Sequence, residues 1–334
     1  MKRRPSISDI AEETGVSIAT VSLALRDKGR MSESTRDRVK ETAAKLGYAP
    51  NANARSLVGG KTQLISLSLP GINMNPEVVS SVSYFFRLLG AAAAKALELD
   101  YSLVVTSPGD RPDRVAVDGA VVVDPSFDDS TIAAFDRLEQ PVVTIGRRLD
   151  ESGSYTGKGR VVDNDFPAAT RAMLDHLKAQ GSESILLLSA EPIDSFQKDS
   201  IDAYREWCAE QGIDPRVVTS KSPLVEDANI AVENVVTGPN RPDGVYSTID
   251  ILAAALLDRA NEAGLKVPED LRIATCSDSR LTRSTNPPLT TFDEKPVELG
   301  EAAVALLIES IEDPDNAPDY IQVETELIIR GSTA

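Results

Sequence analysis

Residues able to do covalent chemistry are few in this chain. It has one histidine, His176, and two cysteines, Cys208 and Cys276, far apart in sequence. A lone imidazole on a helix with Leu-rich neighbours supplies neither a metal set nor a base paired with a nucleophile. The cysteines lack metal spacing and read as buried thiols of a reducing compartment. Gly59-Gly60-Lys61-Thr62 lacks the upstream glycine and the strand context of a phosphate loop. No catalytic residue, metal or cofactor is expected, and an enzyme is the weaker reading.

What remains is recognition chemistry, in two groups. Near the start, Ser17, Ile18, Ala19, Thr20 and Ser22 fall together, with Leu23, Arg26, Lys28, Arg30 and Arg36 following. Hydroxyls and a helix N-terminus can bond phosphate oxygens, Ile18 and Ala19 can touch thymine methyls, and the arginines suit phosphates or a solvated loop. Leu23 cannot read guanine; it either faces the bases or joins the core. Further on, Asn73, Arg147, Asp250 and Asp278 follow apolar runs, with Phe196 and Lys198 ahead of the helical stretch 203–211. Carboxylates and an amide can grip polyol hydroxyls. For each of these residues a helix cap or turn is the competing role, Asp250 being a candidate N-cap. Phe85, Phe86 and Phe196 could cover a sugar ring or simply pack.

The elements that must position these groups change character near residue 62. Before it, only helices are signalled. Ser6-Ile7-Ser8-Asp9 is a capping box opening a helix that ends by Gly15. Ser17 starts a second helix, with Val21, Ala24 and Leu25 at helical spacing, and Ser32 caps a third that Gly47 stops. Two short helices across a Gly-Val turn make a helix-turn-helix. A short segment, 51–57, and a Val58-Gly59-Gly60 joint follow.

From Leu64, Val/Ile/Leu-rich runs alternate with helical stretches. The runs are 64–69, 102–106, 120–123, 142–145, 185–188, 217–219, 244–247 and 272–276. Apolar strands alternating with amphipathic helices predict parallel sheets covered on both faces, in two lobes of similar size. Ligands of such sheets bind beyond the carboxyl ends of the strands.

Charge divides the same way. The 334 residues carry a net charge of −17, yet residues 1–61 carry +5 and the remainder −22. A basic head on an acidic body can offer its charge to phosphate. No apolar run is long enough for a membrane span, and the polar stretch after Lys2-Arg3-Arg4 does not read as an export signal. A cytoplasmic protein with no membrane partner is expected.

Several strings closely resemble the lactose-repressor (LacI/GalR) family. In the head they are Ile7-Ser8-Asp9-Ile10-Ala11, Gly15-Val16-Ser17-Ile18-Ala19-Thr20-Val21-Ser22, Thr35-Arg36-Asp37-Arg38-Val39, Leu46-Gly47-Tyr48-Ala49-Pro50-Asn51 and Ala54-Arg55-Ser56-Leu57. The body resembles the family's effector domain more weakly, through Val117-Asp118-Gly119-Ala120-Val121-Val122, Val162-Asp163-Asn164 and Pro287-Pro288-Leu289-Thr290-Thr291 among others. The resemblance implies an all-α head (1–61) with a hinge helix at 51–57, on a periplasmic-binding-protein-like α/β body (62–334). It implies a first lobe of about 62–163 and 287–321, a second of about 164–286 and 322–334, and crossings near Asn164, Asn286 and Gln322.

It also implies a homodimeric repressor on palindromic operator DNA, switched by a small effector such as a sugar. Asn53, Ala54, Arg55 and Leu57 would enter the minor groove, Leu57 as a wedge. The chain departs from the family at Leu23, where an Arg is common, at Ser200, where an Arg is usual, and at Phe166-Pro167. The segment 107–118 is shorter than usual. These departures put a common sugar effector in doubt. An effector-independent regulator and a transport-type binding protein are the alternatives.

Overall fold

The structure is a computed structural model that describes residues 5–25, 27, 29–48, 61–70, 83–106, 115–191, 194–220, 225–238 and 240–334. The chain falls into two compact units, Met1–Thr62 and Gln63–Ala334.

The first unit holds three helices, α1 (Ile7–Thr14), α2 (Ile18–Leu25) and α3 (Glu33–Leu46). Local chemistry sets their ends. The Asp9 carboxylate accepts from the Ser6 N–H at 2.6 Å and the Ser6 hydroxyl at 2.8 Å, closing the α1 start. Gly15 ends α1 at φ +70, a left-handed turn that costs glycine little. Ser32 accepts the Thr35 N–H at 3.2 Å to open α3, and Gly47 ends it at φ +68. Each helix then supplies two buried residues to one small core: Ile10 and Ala11, Val21 and Ala24, Val39 and Ala43.

The second unit contains two parallel sheets. The first lobe has six strands in the order β11-β5-β4-β3-β1-β2: β1 (Leu64–Ser68), β2 (Ser102–Thr106), β3 (Ala120–Val123), β4 (Val142–Ile145), β5 (Arg160–Asn164) and β11 (Tyr320–Val323). Strand alternation sends Ile65, Leu67, Val121, Val123, Val143 and Ile145 under α4 (Ser83–Glu98) and α11 (Pro296–Glu312). Ala120, Val122 and Val142 face the other way, toward α5 (Ser130–Arg137). Helices α4 and α11 approach closely at Gly300, where a Cβ would stand 2.5 Å from the Leu88 carbonyl oxygen.

The second lobe orders its strands β7-β6-β8-β9: β6 (Ile185–Ala190), β7 (Val217–Ser220), β8 (Gly244–Ser247) and β9 (Arg272–Thr275). Ile185, Leu187, Tyr246 and Ala274 pack against α6 (Phe166–Ala179) and α7 (Ser195–Gln211). Leu186, Leu188, Val245 and Ile273 pack against α8 (Val225–Thr237) and α9 (Asp250–Glu262). A short α10 (Arg280–Ser284) precedes β10 (Thr291–Asp293), which pairs antiparallel with β12 (Glu326–Ile328).

The chain crosses between lobes after β5, before α11 and after β11. The crossing expected near Asn286 is corrected. Leu289 is buried in the second-lobe core and Thr290 bridges Ala274, so 287–293 stay with that lobe and the chain leaves it at Glu294-Lys295. Gln322 and Val323 likewise remain in the first-lobe sheet, paired with Asp163 and Asn164.

Candidate functional site

Two surfaces carry the recognition chemistry, one in each unit. In the first unit, α2 is a helix of eight residues, IATVSLAL, with no charge and no amide. Its buried side is Val21 and Ala24, which leaves Ile18, Ala19 and Leu23 exposed and Ser22 half-buried between them. Leu23 is 42% exposed, so of its two expected roles the core one is ruled out. Ser17 and Thr20 close the helix start together: the Thr20 N–H donates to Ser17 Oγ at 3.1 Å and the two hydroxyls bond at 2.8 Å.

Arg30 is exposed. Arg36 is half-buried instead, its guanidinium 3.8 Å from Asp27 and donating to the Gly29 carbonyl at 3.4 Å, so it braces the turn after α2. Arg26 and Lys28 lie outside the described residues, as do Asn53, Ala54, Arg55 and Leu57 of the expected hinge.

In the second unit, the carboxyl ends of the strands from both lobes converge, and the groups there are mostly acidic. Asp124 follows β3 and Asp163 lies in β5. Asp194 caps α7, Asp250 opens α9, and Glu294 sits on the second crossing. Burial pushes Asp163 up to about 7, against the pull of Arg147. Burial likewise pushes Glu294 up to about 7 and Asp194 up to about 6. Asp124 is held well above the carboxylate range by burial and by Asp194, Glu294 and Asp163. Charges withdrawn from water and facing one another favour the protonated forms.

Arg147 lies among them and is engaged on both sides. Its Nε donates to Asp163 at 3.2 Å, and its Nη2 bonds Asp199 of α7 across the lobes. Its backbone N–H donates to Ser195 Oγ at 2.9 Å. The Tyr155 hydroxyl also donates to Asp199, and the Tyr155 ring lies 4.3 Å from the guanidinium carbon. This is a clasp from the first lobe onto the N-terminal turn of α7. A second device lies at the crossings. Buried Asn164 donates to the carbonyls of Val323 at 2.7 Å and Glu294 at 3.3 Å, so one amide clips all three crossings together.

The structure thus brings Arg147, Phe196, Lys198 and Asp250 toward the junction of the lobes, with different partners from those expected. Phe196 packs on Phe166, ring centroids 4.4 Å apart, and Lys198 pairs with Asp202. Asp250 is the first residue of α9, not its N-cap, which is Ile249; its carboxylate accepts from Ser279. Asp278 is consumed by Arg283 and Arg330 and anchors the C-terminal segment. Asn73 lies outside the described residues. Phe85 packs with Tyr84 and Phe86 is exposed. His176 is buried against Thr333 at 2.7 Å, and burial lowers its pKa.

Sequence reasoning missed Tyr155, Asp199, Asp194, Asp124 and Glu294. Asp124 had a readable signal, a carboxylate directly after an apolar strand.

A capped helix-turn-helix with an uncharged exposed face, on a chain whose larger unit is a two-lobed α/β body, defines a DNA-binding regulator. The sequence profile of the bacterial regulatory proteins, lacI family, matches residues 6–51, and that of the periplasmic binding protein-like domain matches 174–333. The ribose operon repressor of Bacillus subtilis (strain 168) is 30% identical over 336 residues, covering 98% of each chain. Catabolite control protein A of Staphylococcus xylosus is 24% identical over 340 residues, covering 98% of this chain and 99% of that protein. Among solved structures, the lac repressor dimer bound to operator and the anti-inducer ONPF superposes with a TM-score of 0.81 at 21% identity, 99% of each chain covered. The complex of the regulator CelR with cellobiose gives 0.72 at 22% identity, covering 98% of this chain and 100% of that one.

The chain belongs to the LacI family and is a DNA-binding transcriptional regulator. No helix among the described residues is long and apolar enough to cross a membrane.

Proposed function

We propose that the protein is a cytoplasmic homodimeric repressor that binds a palindromic operator and is switched by a small neutral effector between its lobes. The observation that carries the DNA reading is the exposed Ile18-Ala19-Leu23 face of α2 on a head held rigid by its caps. Ser17, Thr20 and Ser22 serve phosphates and base edges, with Arg26 and Arg30 on phosphates, while Arg36 braces the turn at Asp27 and Gly29. A single head makes few contacts, and two related by a two-fold axis match a palindrome. Asn53, Ala54, Arg55 and Leu57 enter the minor groove in this reading, Leu57 as the wedge.

The effector reading rests on the convergence of strand ends from both lobes and on their chemistry. Asp250, Asp194 and Asp124 are hydroxyl-binding groups, with Phe196 beside them. Arg147 is already bonded to Asp163 and Asp199, and the groups around it are mostly carboxylates, which disfavour an anion. This chemistry favours a neutral polyol over a phosphorylated sugar.

The test is operator affinity of the full-length protein, using a duplex selected from a random pool, with panels of neutral and phosphorylated sugars. A neutral sugar should change the affinity about 5- to 150-fold, the usual range of allosteric coupling. Response to phosphorylated sugars alone would overturn the neutral-effector reading. Response to none would favour a regulator that works without effector.

A further inference from the structure

The recognition helix constrains which bases it can read. On α2 the polar groups are Ser17 at its cap, Thr20 and Ser22. The first two are bonded to one another and to the helix start. No arginine, lysine, asparagine or glutamine lies between Ile18 and Leu25. Those are the side chains that make paired hydrogen bonds to guanine and adenine in the major groove. What α2 offers instead is branched hydrocarbon: Ile18 is 51% exposed and Leu23 42% exposed.

Leu23 is also held in place. Gly29, at φ +85, passes beneath it so closely that a Cβ there would come within 3.1 Å of Leu23 Cδ1. One side of the leucine rests on the turn and the other faces outward. Arg36 fixes the same turn through the Gly29 carbonyl. An apolar side chain fixed in this way suits a groove whose floor carries an apolar group. The thymine C5-methyl is that apolar group in the major groove.

We infer that Leu23, with Ile18, determines operator specificity by packing on thymine methyl groups, so that each half-site carries two obligatory thymines in place of a guanine read by hydrogen bonds. This rests on the reading of α2 as the base-contacting helix. The two residues are five positions apart, about 7.5 Å along the helix axis and roughly 140° around it, so they meet separate bases.

The experiment starts from the duplex that the full-length protein selects from a random pool. Each thymine is then replaced in turn by deoxyuridine, which removes the methyl and leaves pairing unchanged. Two positions per half-site should weaken binding about fourfold each, the value of one buried methyl-sized group. In L23A one of the two positions should lose its sensitivity and the other keep it; in I18A the reverse should hold. L23M, which keeps the apolar contact, should retain both, and equal melting temperatures exclude misfolding. Uracil tolerated at every position, or a sensitivity that L23A leaves intact, would overturn the inference while leaving the regulator reading standing. Failure to select any sequence would remove the base-reading role of α2 and the inference with it.

Discussion

Glu294 sits on the second crossing between the lobes, buried, with Ser277 donating to its carboxylate and Asp250, Asp293 and Asp124 close enough to raise it or be raised by it. Arg87 opposes them. Its folded pKa of about 7 lies above the ordinary 4.5 of a glutamate. The folded chain therefore binds the proton more tightly than the unfolded one. The resulting stability is fully present below about pH 4.5 and is lost as pH rises through 7. Glu294→Gln keeps size and hydrogen-bonding capacity but removes the charge. Urea unfolding should show it stabilised at pH 8, by at most about 3 kcal/mol, and close to the parent at pH 5. A Gln variant less stable than the parent at pH 8 would mean that Glu294 is ionised and well paired.

At this scale the sequence is legible in part. Arg147 and Asp250 follow apolar runs, so their place at strand ends could be read directly. Asp199 and Tyr155 could not, because their bond spans 44 residues of chain and exists only once the two lobes face each other.

The elements of the head were readable because their signals are local. Ser6 with Asp9, Ser32 with Thr35, and the two glycines each act within one helical turn. The parallel sheets were readable from the apolar runs that build them. Strands β10 and β12 were not: three residues each, they form only by pairing with one another across more than thirty residues. That unseen pair explains the misplaced crossing at Asn286, since it keeps 291–293 in the second lobe.

The crossings themselves meet at Asn164, whose amide reaches the carbonyls of Glu294 and Val323. Asn164→Ala leaves both without this donor. A loss of about 1–3 kcal/mol is expected in urea unfolding, the cost of unsatisfied buried polar groups. An unchanged midpoint would mean that the clip is dispensable and that the strands alone hold the crossings.

For the whole molecule, charge separates what touches DNA from what does not. Residues 1–61 carry +5 and the rest −22, so the total of −17 conceals a basic head. Counterion release from phosphate should then dominate how affinity depends on salt, and the α2 face should set preference among sequences. The most direct test measures the affinity of the full-length protein for its selected palindrome and for a scrambled duplex of equal length, from about 50 to 200 mM salt. Both affinities should fall steeply and linearly on logarithmic axes. The selected duplex should bind at least about 1,000-fold more tightly throughout. Equal affinity for the two duplexes, or an affinity indifferent to salt, would contradict sequence-specific DNA binding by this chain.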